Sequence, residues 1–261
     1  MNKHIMHGIV LAAGLGRRLE QITEHIPKPM IKLNEIALID HAILSLVKIG
    51  VQVIFINTHY KFDALQNFIA RQIAEKKYRG AIIKFSYEEQ ILETGGAIFN
   101  GLRNLNVDDI LVINADIMMP DSDLSPLVDN WGPHCDVLSL VYDKHRLDYT
   151  VDGDFDLNKQ NQLIPNRGGR YIWMGAYRLR RVTLAEYFGR PVRPFSIMDV
   201  VFYKPQKTFL GISYQKTWID AAGILEVHYK HKLNKWGQTH DMPELQISAG
   251  PYNGAIELNP L

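Results

Sequence analysis

Through the first half of the chain, short continuous apolar runs alternate with stretches in which apolar residues recur every three or four positions. "HGIVLAA" (7–13), "VQVIFIN" (51–57), "AIIKFSY" (81–87) and "DILVINAD" (109–116) show the first pattern and read as buried strands. "ALIDHAILSLVKIG" (37–50), "KFDALQNFIARQIAEKK" (61–77) and "TGGAIFNGLRNL" (94–105) show the second and read as helices. Gly50 stops the first helix, and Thr94 is placed to cap the third. Strands apolar on both faces, alternating with helices, predict an α/β architecture: a doubly wound, mostly parallel sheet covered on both sides. Ligands of such sheets sit beyond the carboxyl ends of the strands. Three loops should therefore meet: the one after Ala13, the one from Tyr87 to Gly96, and the one at Ala115 and Asp116.

The second half is less regular. "DVLSLVYD" (136–143), "GRYIWMGAYRL" (169–179) and "KTFLGISYQ" (207–215) read as strands, and "FSIMDVVFYK" (195–204) as a helix. "TWIDAAG" (217–223) precedes a last helix over "ILEVHYKHKL" (224–233). From Lys235 the chain holds Gly, Pro and Asn without periodicity, which predicts an irregular extension. With no internal repeat or low-complexity linker, one domain over 1–234 is expected, a regular half to about 120 and a less regular half over about 121–234, with the extension over 235–261.

Composition narrows the functional classes. Lysine plus arginine number 29 and aspartate plus glutamate 28, a net charge of +1, so no general basic field exists to hold nucleic acid or an anionic membrane. Any anion site must be local. No run approaches a membrane span and the amino end lacks a secretory pattern, which predicts a cytoplasmic protein. The single cysteine, Cys135, reads as a small buried residue at a strand start. The ten histidines show no metal spacing.

"LAAGLGRRLEQITEHIPKP" (11–29) carries the local chemistry. It is not a P-loop, which requires G-x-x-x-x-G-K-[ST]. It is not a dinucleotide turn either: Leu19 stands where the third glycine belongs, and Pro27 and Pro29 cut off the helix that such a turn opens. Two readings remain, a solvated basic loop and a loop that wraps a nucleoside triphosphate. On the second, Gly14 and Gly16 let backbone N–H groups approach phosphate oxygens, Arg17 and Arg18 offer fork-shaped donors, and Lys28 starts from a backbone stiffened by two prolines.

This stretch resembles the L-A-[AG]-G-x-G-x-R-x-x-x-x-T-x-x-x-P-K-P signature of sugar-1-phosphate nucleotidylyltransferases, matching every fixed position. The resemblance continues through "LETGGAIFNGL", "VINAD" and, less well, "WIDAAG". It implies a Rossmann-like nucleotidyltransferase fold with a smaller sugar-binding β/α portion, and as substrates a nucleoside triphosphate and a sugar 1-phosphate. It assigns Arg18 to the triphosphate and Lys28 to the phosphate at the reacting centre, and it places Leu11, Ala12, Ala13, Gly14 and Gly16 against the nucleotide. Asp116 and Asp220 are implied to bind Mg²⁺, although Ala222-Gly223 departs from the family's Gly-Thr. Gly95 and Gly96 are expected to pack on the nucleobase and ribose, with Glu88 as base reader. Asn114, Asp154 in "VDGDF" and Gly175 in "WMGAY" are implied on the sugar side, and Asn57 lies at another crevice-facing strand end.

Several segments, "VIFINTHY", "FSYEEQILETGGAIF" and "VDGDF", look like those of the branch that acts on N-acetylmuramate 1-phosphate with UTP. Hexose or heptose 1-phosphate guanylyltransferases are the alternative, and these usually carry glycine where this chain has Glu93. A binding protein of the same fold that has lost catalysis is a further alternative. No oligomerising β-helix can follow Leu233, which predicts a monomer or simple homodimer.

Overall fold

A computed structural model describes residues 6–19, 23–33, 35–119, 121–147, 150–203, 208–220, 245–249 and 256–260. The first half runs β1 (Met6–Leu11), β2 (Lys32–Leu33), β3 (Ile36–Ala37), α1 (Leu38–Lys48), β4 (Val51–Thr58), α2 (Phe62–Ala74), β5 (Ile82–Tyr87), α3 (Glu93–Leu102), β6 (Asp109–Asn114) and β7 (Ile117–Met118). The second half runs α4 (Pro126–Asp129), β8 (Val137–Asp143), β9 (Gly153–Leu157), β10 (Leu163–Gly169), β11 (Tyr171–Arg180), α5 (Ile197–Tyr203), β12 (Phe209–Ser213), β13 (Ile219–Asp220), β14 (Leu245–Ala249) and β15 (Ile256–Pro260).

The four apolar runs of the first half form parallel strands in the order β5-β4-β1-β6. Chain order reverses between β1 and β6, which makes their carboxyl ends the switch point where such sheets bind ligands. Successive side chains go to opposite faces. Val10, Leu111 and Ile113 pack with α1 and α2, whereas Ile9, Ile110 and Val112 pack with α3 and α5. Helices therefore cover both faces, as the periodicity predicts.

Beyond β6 the same sheet turns antiparallel. β11 pairs with β6 on one side and β8 on the other, β9 joins β10 and β11, and only β12, on β8, is parallel. Two expectations are corrected. The stretch after Lys235 is not wholly irregular, since β14 and β15 form an antiparallel pair. Thr94 does not cap α3: that helix starts one residue earlier, and the Thr94 hydroxyl accepts from the Ile197 N–H at 2.9 Å, at the start of α5. The expected helix over 224–233 lies outside the described residues. Among the described residues no helix is long and apolar enough to cross a membrane. Cys135 is buried, and burial, assisted by the charge of Asp136, pushes its thiol up to about 11.

Candidate active site

The loop after β1 is held by contacts its own sequence supplies. Gly16 has φ +64° and accepts the Leu19 N–H at 2.8 Å, closing the 3-10 turn Arg17–Leu19. A Cβ on Gly16 would lie 2.6 Å from Thr23 Cγ2, so the position demands glycine for conformation and for space. The buried Thr23 hydroxyl is shared between the carbonyls of Gly16 and Leu19, at 3.3 and 3.2 Å, a tie across the loop that its local sequence does not reveal. Gly14 differs: a Cβ there would meet nothing within 4 Å. The described residues leave that side open.

Pro27 and Pro29 set the turn Lys28–Met30, in which Met30 N–H donates to the Pro27 carbonyl and Ile31 N–H to that of Lys28. Pro29 is buried in it. From this stiffened start Lys28 Nζ reaches Asp116 Oδ2 at 2.5 Å, across β1 from the far side of the switch point. Ala115 N–H donates to the Leu11 carbonyl at 3.0 Å and pins the ends of β1 and β6 together beneath them. Leu11, Ala12, Gly14, Lys28, Pro29, Ala115 and Asp116 thus line one notch of about 60 Å³. That is the floor of a site rather than a whole ligand pocket.

A larger hollow of about 330 Å³ lies at the opposite end of β6 and β11, beside Asp108, Arg180 and Arg181. Its arginines are already engaged. Arg180 donates to the Cys135 and Gly132 carbonyls and Arg181 to that of Leu105. Topology and chemistry both favour the smaller notch.

The backbone brings the second aspartate alongside. β13 pairs with β7 so that Asp220 stands opposite Ile117, next to Asp116. The side chains of Asp220 and Arg18 lie outside the described residues. Gly175, at φ +72° in the irregular stretch of β11, abuts the end of β6: a Cβ there would lie 2.5 Å from Asn114 Nδ2 and 2.6 Å from Ile117 Cδ1. The structure therefore groups Leu11, Ala12, Gly14, Lys28 and Asp116 in the notch, with Asn114, Gly175 and the backbone of Asp220 on its β6 side.

Three other expectations meet different neighbours. Glu88 is only 2% exposed. Its Oε1 accepts from Asn57 Nδ2 at 2.8 Å and its Oε2 from the Leu92 N–H at 2.9 Å, so both oxygens face protein donors rather than a base. Burial raises its carboxyl above the usual range; the bonds from Asn57 and Leu92 and the field of His59 oppose that rise. The close partner of Gly95 and Gly96 is the chain's own segment 193–195. Both N–H groups donate to the Phe195 carbonyl, at 2.9 and 3.1 Å, and a Cβ on Gly96 would lie 2.5 Å from the Arg193 carbonyl oxygen. Asp154 Oδ2 accepts the Trp173 N–H at 2.8 Å, a tie between β9 and β11, and burial raises its carboxyl. Except for Leu92, four residues from Glu88, these partners lie far along the chain, where local sequence carries no signal for them.

A basic side chain and a carboxylate face one another above backbone that permits close approach, and the described residues lining the notch include no serine, cysteine or histidine. Such a site positions and neutralises polyanions. The family described as Nucleotidyl transferase matches residues 7–146, more than half of the chain, and the chain belongs to that family. It is 32% identical over 159 residues to a D-glycero-α-D-manno-heptose 1-phosphate guanylyltransferase of Campylobacter jejuni, covering 61% of this chain and 66% of the relative. It is 31% identical over 140 residues to an N-acetylmuramate α-1-phosphate uridylyltransferase of Caulobacter vibrioides, 54% of each. The chain spans about half to two thirds of the length of such relatives. Its fold matches HddC of Yersinia pseudotuberculosis complexed with GMP-PN at TM-score 0.65 and 24% identity, over 87% of this chain and 97% of that one. It also matches the inositol-1-phosphate CTP transferase of T. maritima at TM-score 0.66 and 17% identity, over 93% and 100%.

Proposed function

We propose that this chain transfers a nucleotidyl group from a nucleoside triphosphate to a sugar 1-phosphate, releasing pyrophosphate. Its preferred pair is UTP and N-acetylmuramate 1-phosphate, and it works in the cytoplasm as a monomer or simple homodimer. The observation that carries the reading is Lys28, fixed between two prolines, with Nζ 2.5 Å from Asp116 at the switch point and open space over Gly14 beside it. The nucleophile would be the sugar phosphate itself, already largely dianionic near neutral pH because its second pKa is about 6. No general base is needed, in keeping with the residues of the notch. The work left to the protein is to bring two polyanions into line and to offset their charge. Lys28 holds the phosphate at the reacting centre, and the amides near Gly14 hold the triphosphate beside it. Arg18 is assigned to the leaving pyrophosphate by its place in the signature alone.

Mg²⁺ fits the residues present. Asp116 offers a hard carboxylate with its side chain 26% exposed, and strand pairing brings the Asp220 backbone to its neighbour. Among the described residues no cluster of three or more His, Cys, Asp or Glu forms a metal cage. Mg²⁺ does not require one, since it keeps waters and borrows phosphate oxygens. Asp116 and Asp220 would hold the ion, which would supply positive charge to offset the negative charge of the reacting phosphates. Uracil and muramate are favoured by the segments around Glu93 and Asp154. The competing reading, a guanylyltransferase for heptose or hexose 1-phosphate, is favoured by the heptose relatives at 29% and 32% identity. Pyrophosphate release from each of UTP, GTP, CTP and dTTP with a panel of sugar 1-phosphates separates them. Nucleotide binding without turnover on any pair would overturn the enzyme reading.

A further inference from the structure

We infer that Glu88 is a positioning residue of the nucleotide loop: its buried carboxylate sets the direction of a hydrogen-bond chain that fixes the Ala12 amide. The inference rests on the nucleotidyl-transfer reading for what the loop holds.

The chain crosses the carboxyl edge of the sheet. Leu11 stands opposite Asn57 and Thr58 opposite Tyr87, so the ends of β1, β4 and β5 lie side by side. Across them the Ala12 N–H donates to Asn57 Oδ1 at 2.6 Å, Asn57 Nδ2 donates to Glu88 Oε1 at 2.8 Å, and the Leu92 N–H donates to Glu88 Oε2 at 2.9 Å. Glu88 is itself locked: its N–H donates to the Thr58 carbonyl at 2.8 Å, and its carbonyl meets His59 Nδ1 at 2.8 Å.

The two ends of this chain are backbone N–H groups, which can only donate. Both therefore demand an acceptor. An asparagine accepts at one end and donates at the other, so it passes the demand along. The residue between Asn57 and Leu92 must accept from both sides, and only a carboxylate does so fully. A glutamine there would face one donor with its own –NH₂. Turning Asn57 over would move the same conflict to Ala12. A buried anion in that place is thus dictated by polarity. Ala12 and Leu11 line the notch beside Lys28, so any slack in the chain is felt where the phosphates would lie.

The polarity argument also names the substitution that repairs the damage. In Asn57→Asp plus Glu88→Gln, the introduced carboxylate accepts from Ala12 and from the glutamine –NH₂, while the glutamine oxygen accepts from Leu92. Shape is unchanged and the anion moves one link along. Glu88→Gln alone sets two donors face to face, and Asn57→Asp alone sets two acceptors face to face.

The test measures two quantities on the parent, both single variants and the double variant. One is hydrogen exchange of the Ala12 amide in nucleotide-free protein. The other is affinity for UTP, GTP, CTP and dTTP by calorimetry, with melting temperature to confirm folding. Each single variant is expected to speed Ala12 exchange and to weaken nucleotide binding roughly 10- to 100-fold, the size of a lost hydrogen bond to a buried charge. The double variant is expected to return within about threefold of the parent in both. A double variant as impaired as the two singles combined, or a Glu88→Gln protein that matches the parent in Ala12 exchange, would overturn the inference. A parent that binds none of UTP, GTP, CTP and dTTP would overturn the nucleotidyl-transfer reading instead, while the exchange cycle still decides the hydrogen-bond chain.

Discussion

Replacing Gly175 by alanine tests whether β11 is shaped by glycine to receive the end of β6. Two costs are visible. The backbone sits at φ +72°, where a Cβ costs about 1–2 kcal/mol. The new methyl would also lie 2.5 Å from Asn114 Nδ2, 2.6 Å from Ile117 Cδ1 and 2.8 Å from Asn114 Cγ. Overpacking of that kind costs roughly 1–3 kcal/mol. Against these, alanine restricts the unfolded chain and returns roughly 0.4–1 kcal/mol. The net loss is about 2–4 kcal/mol, and at 2–4 °C per kcal/mol for a domain of this size the melting temperature should fall by roughly 5–15 °C. Gly168 separates the two costs. It has φ +87°, and a Cβ there would meet nothing within 4 Å, so Gly168→Ala carries the conformational cost alone, about 0.5–1 kcal/mol net. Scanning calorimetry of both variants beside the parent reads the difference. Equal losses for the two would refute the contact with Asn114 and Ile117. A Gly175→Ala protein melting within a degree of the parent would refute the whole account.

Gly14 has open space and no left-handed backbone, so Gly14→Ala should leave stability within about 0.5 kcal/mol and yet weaken nucleotide binding severalfold, read by denaturant melts and calorimetry. Asp116→Asn should keep the fold at a cost of roughly 1–3 kcal/mol, because it leaves the largely shielded Lys28 without its carboxylate, but should lower Mg²⁺-dependent pyrophosphate release more than about 100-fold; activity within a few fold of the parent would exclude the metal role. Glu88 gives opposite pH trends in stability and binding. Below the ordinary glutamate value of about 4.3 both folded and unfolded chains carry the proton, and the burial of Glu88 brings no ionisation penalty. As pH rises through the higher folded value the native state must ionise a buried group, so its contribution to stability is lost across that interval. Nucleotide affinity should rise over the same interval as the carboxylate becomes able to accept both donors. Urea melts and binding titrations in matched buffers check both trends, and Glu88→Gln should flatten them.

The parallel half of the fold is legible in the sequence because each strand and helix there has its own short period, set by neighbours a few residues away. Val10 and Ile9 already announce two faces to bury. The antiparallel half is less legible, since β11 finds β6, β8 and β9 through pairings remote in sequence, and β14 and β15 are short strands in a stretch rich in turn formers. Thr94 shows the same limit at one residue. A threonine ahead of an apolar helix reads locally as that helix's cap, yet Glu93, at φ +57°, already begins the helix, and the hydroxyl serves Ile197 instead. For the site, residue types and spacing identify the groups that must carry charge, Lys28 and Asp116, and the glycines of the loop. They do not reveal which glycine the fold itself requires: Gly16 has φ +64° and a Cβ there would meet Thr23, whereas Gly14 has no left-handed backbone and a Cβ there would meet no described residue within 4 Å. Nor do they reveal that the carboxylate of Glu88 accepts from the side-chain amide of Asn57 and the backbone amide of Leu92.

The pairing of Lys28 with Asp116 gives the notch a further property. On the proposed reading, the cation assigned to a phosphate and the carboxylate assigned to a metal ion pair with each other at 2.5 Å in the free protein. Their side chains are only 15% and 26% exposed, so neither would be left without a partner at small cost. A ligand that engages one must therefore provide for the other. A phosphate alone would draw Lys28 away and leave Asp116 facing added negative charge. A cation alone would satisfy Asp116 and leave Lys28 beside positive charge. A phosphate and a divalent cation arriving together satisfy both at once, which makes a metal-chelated triphosphate the ligand whose charge pattern matches the resting pair. On that reading, the residues that pair in the free protein favour the combined ligand over either part alone, through desolvation and charge balance.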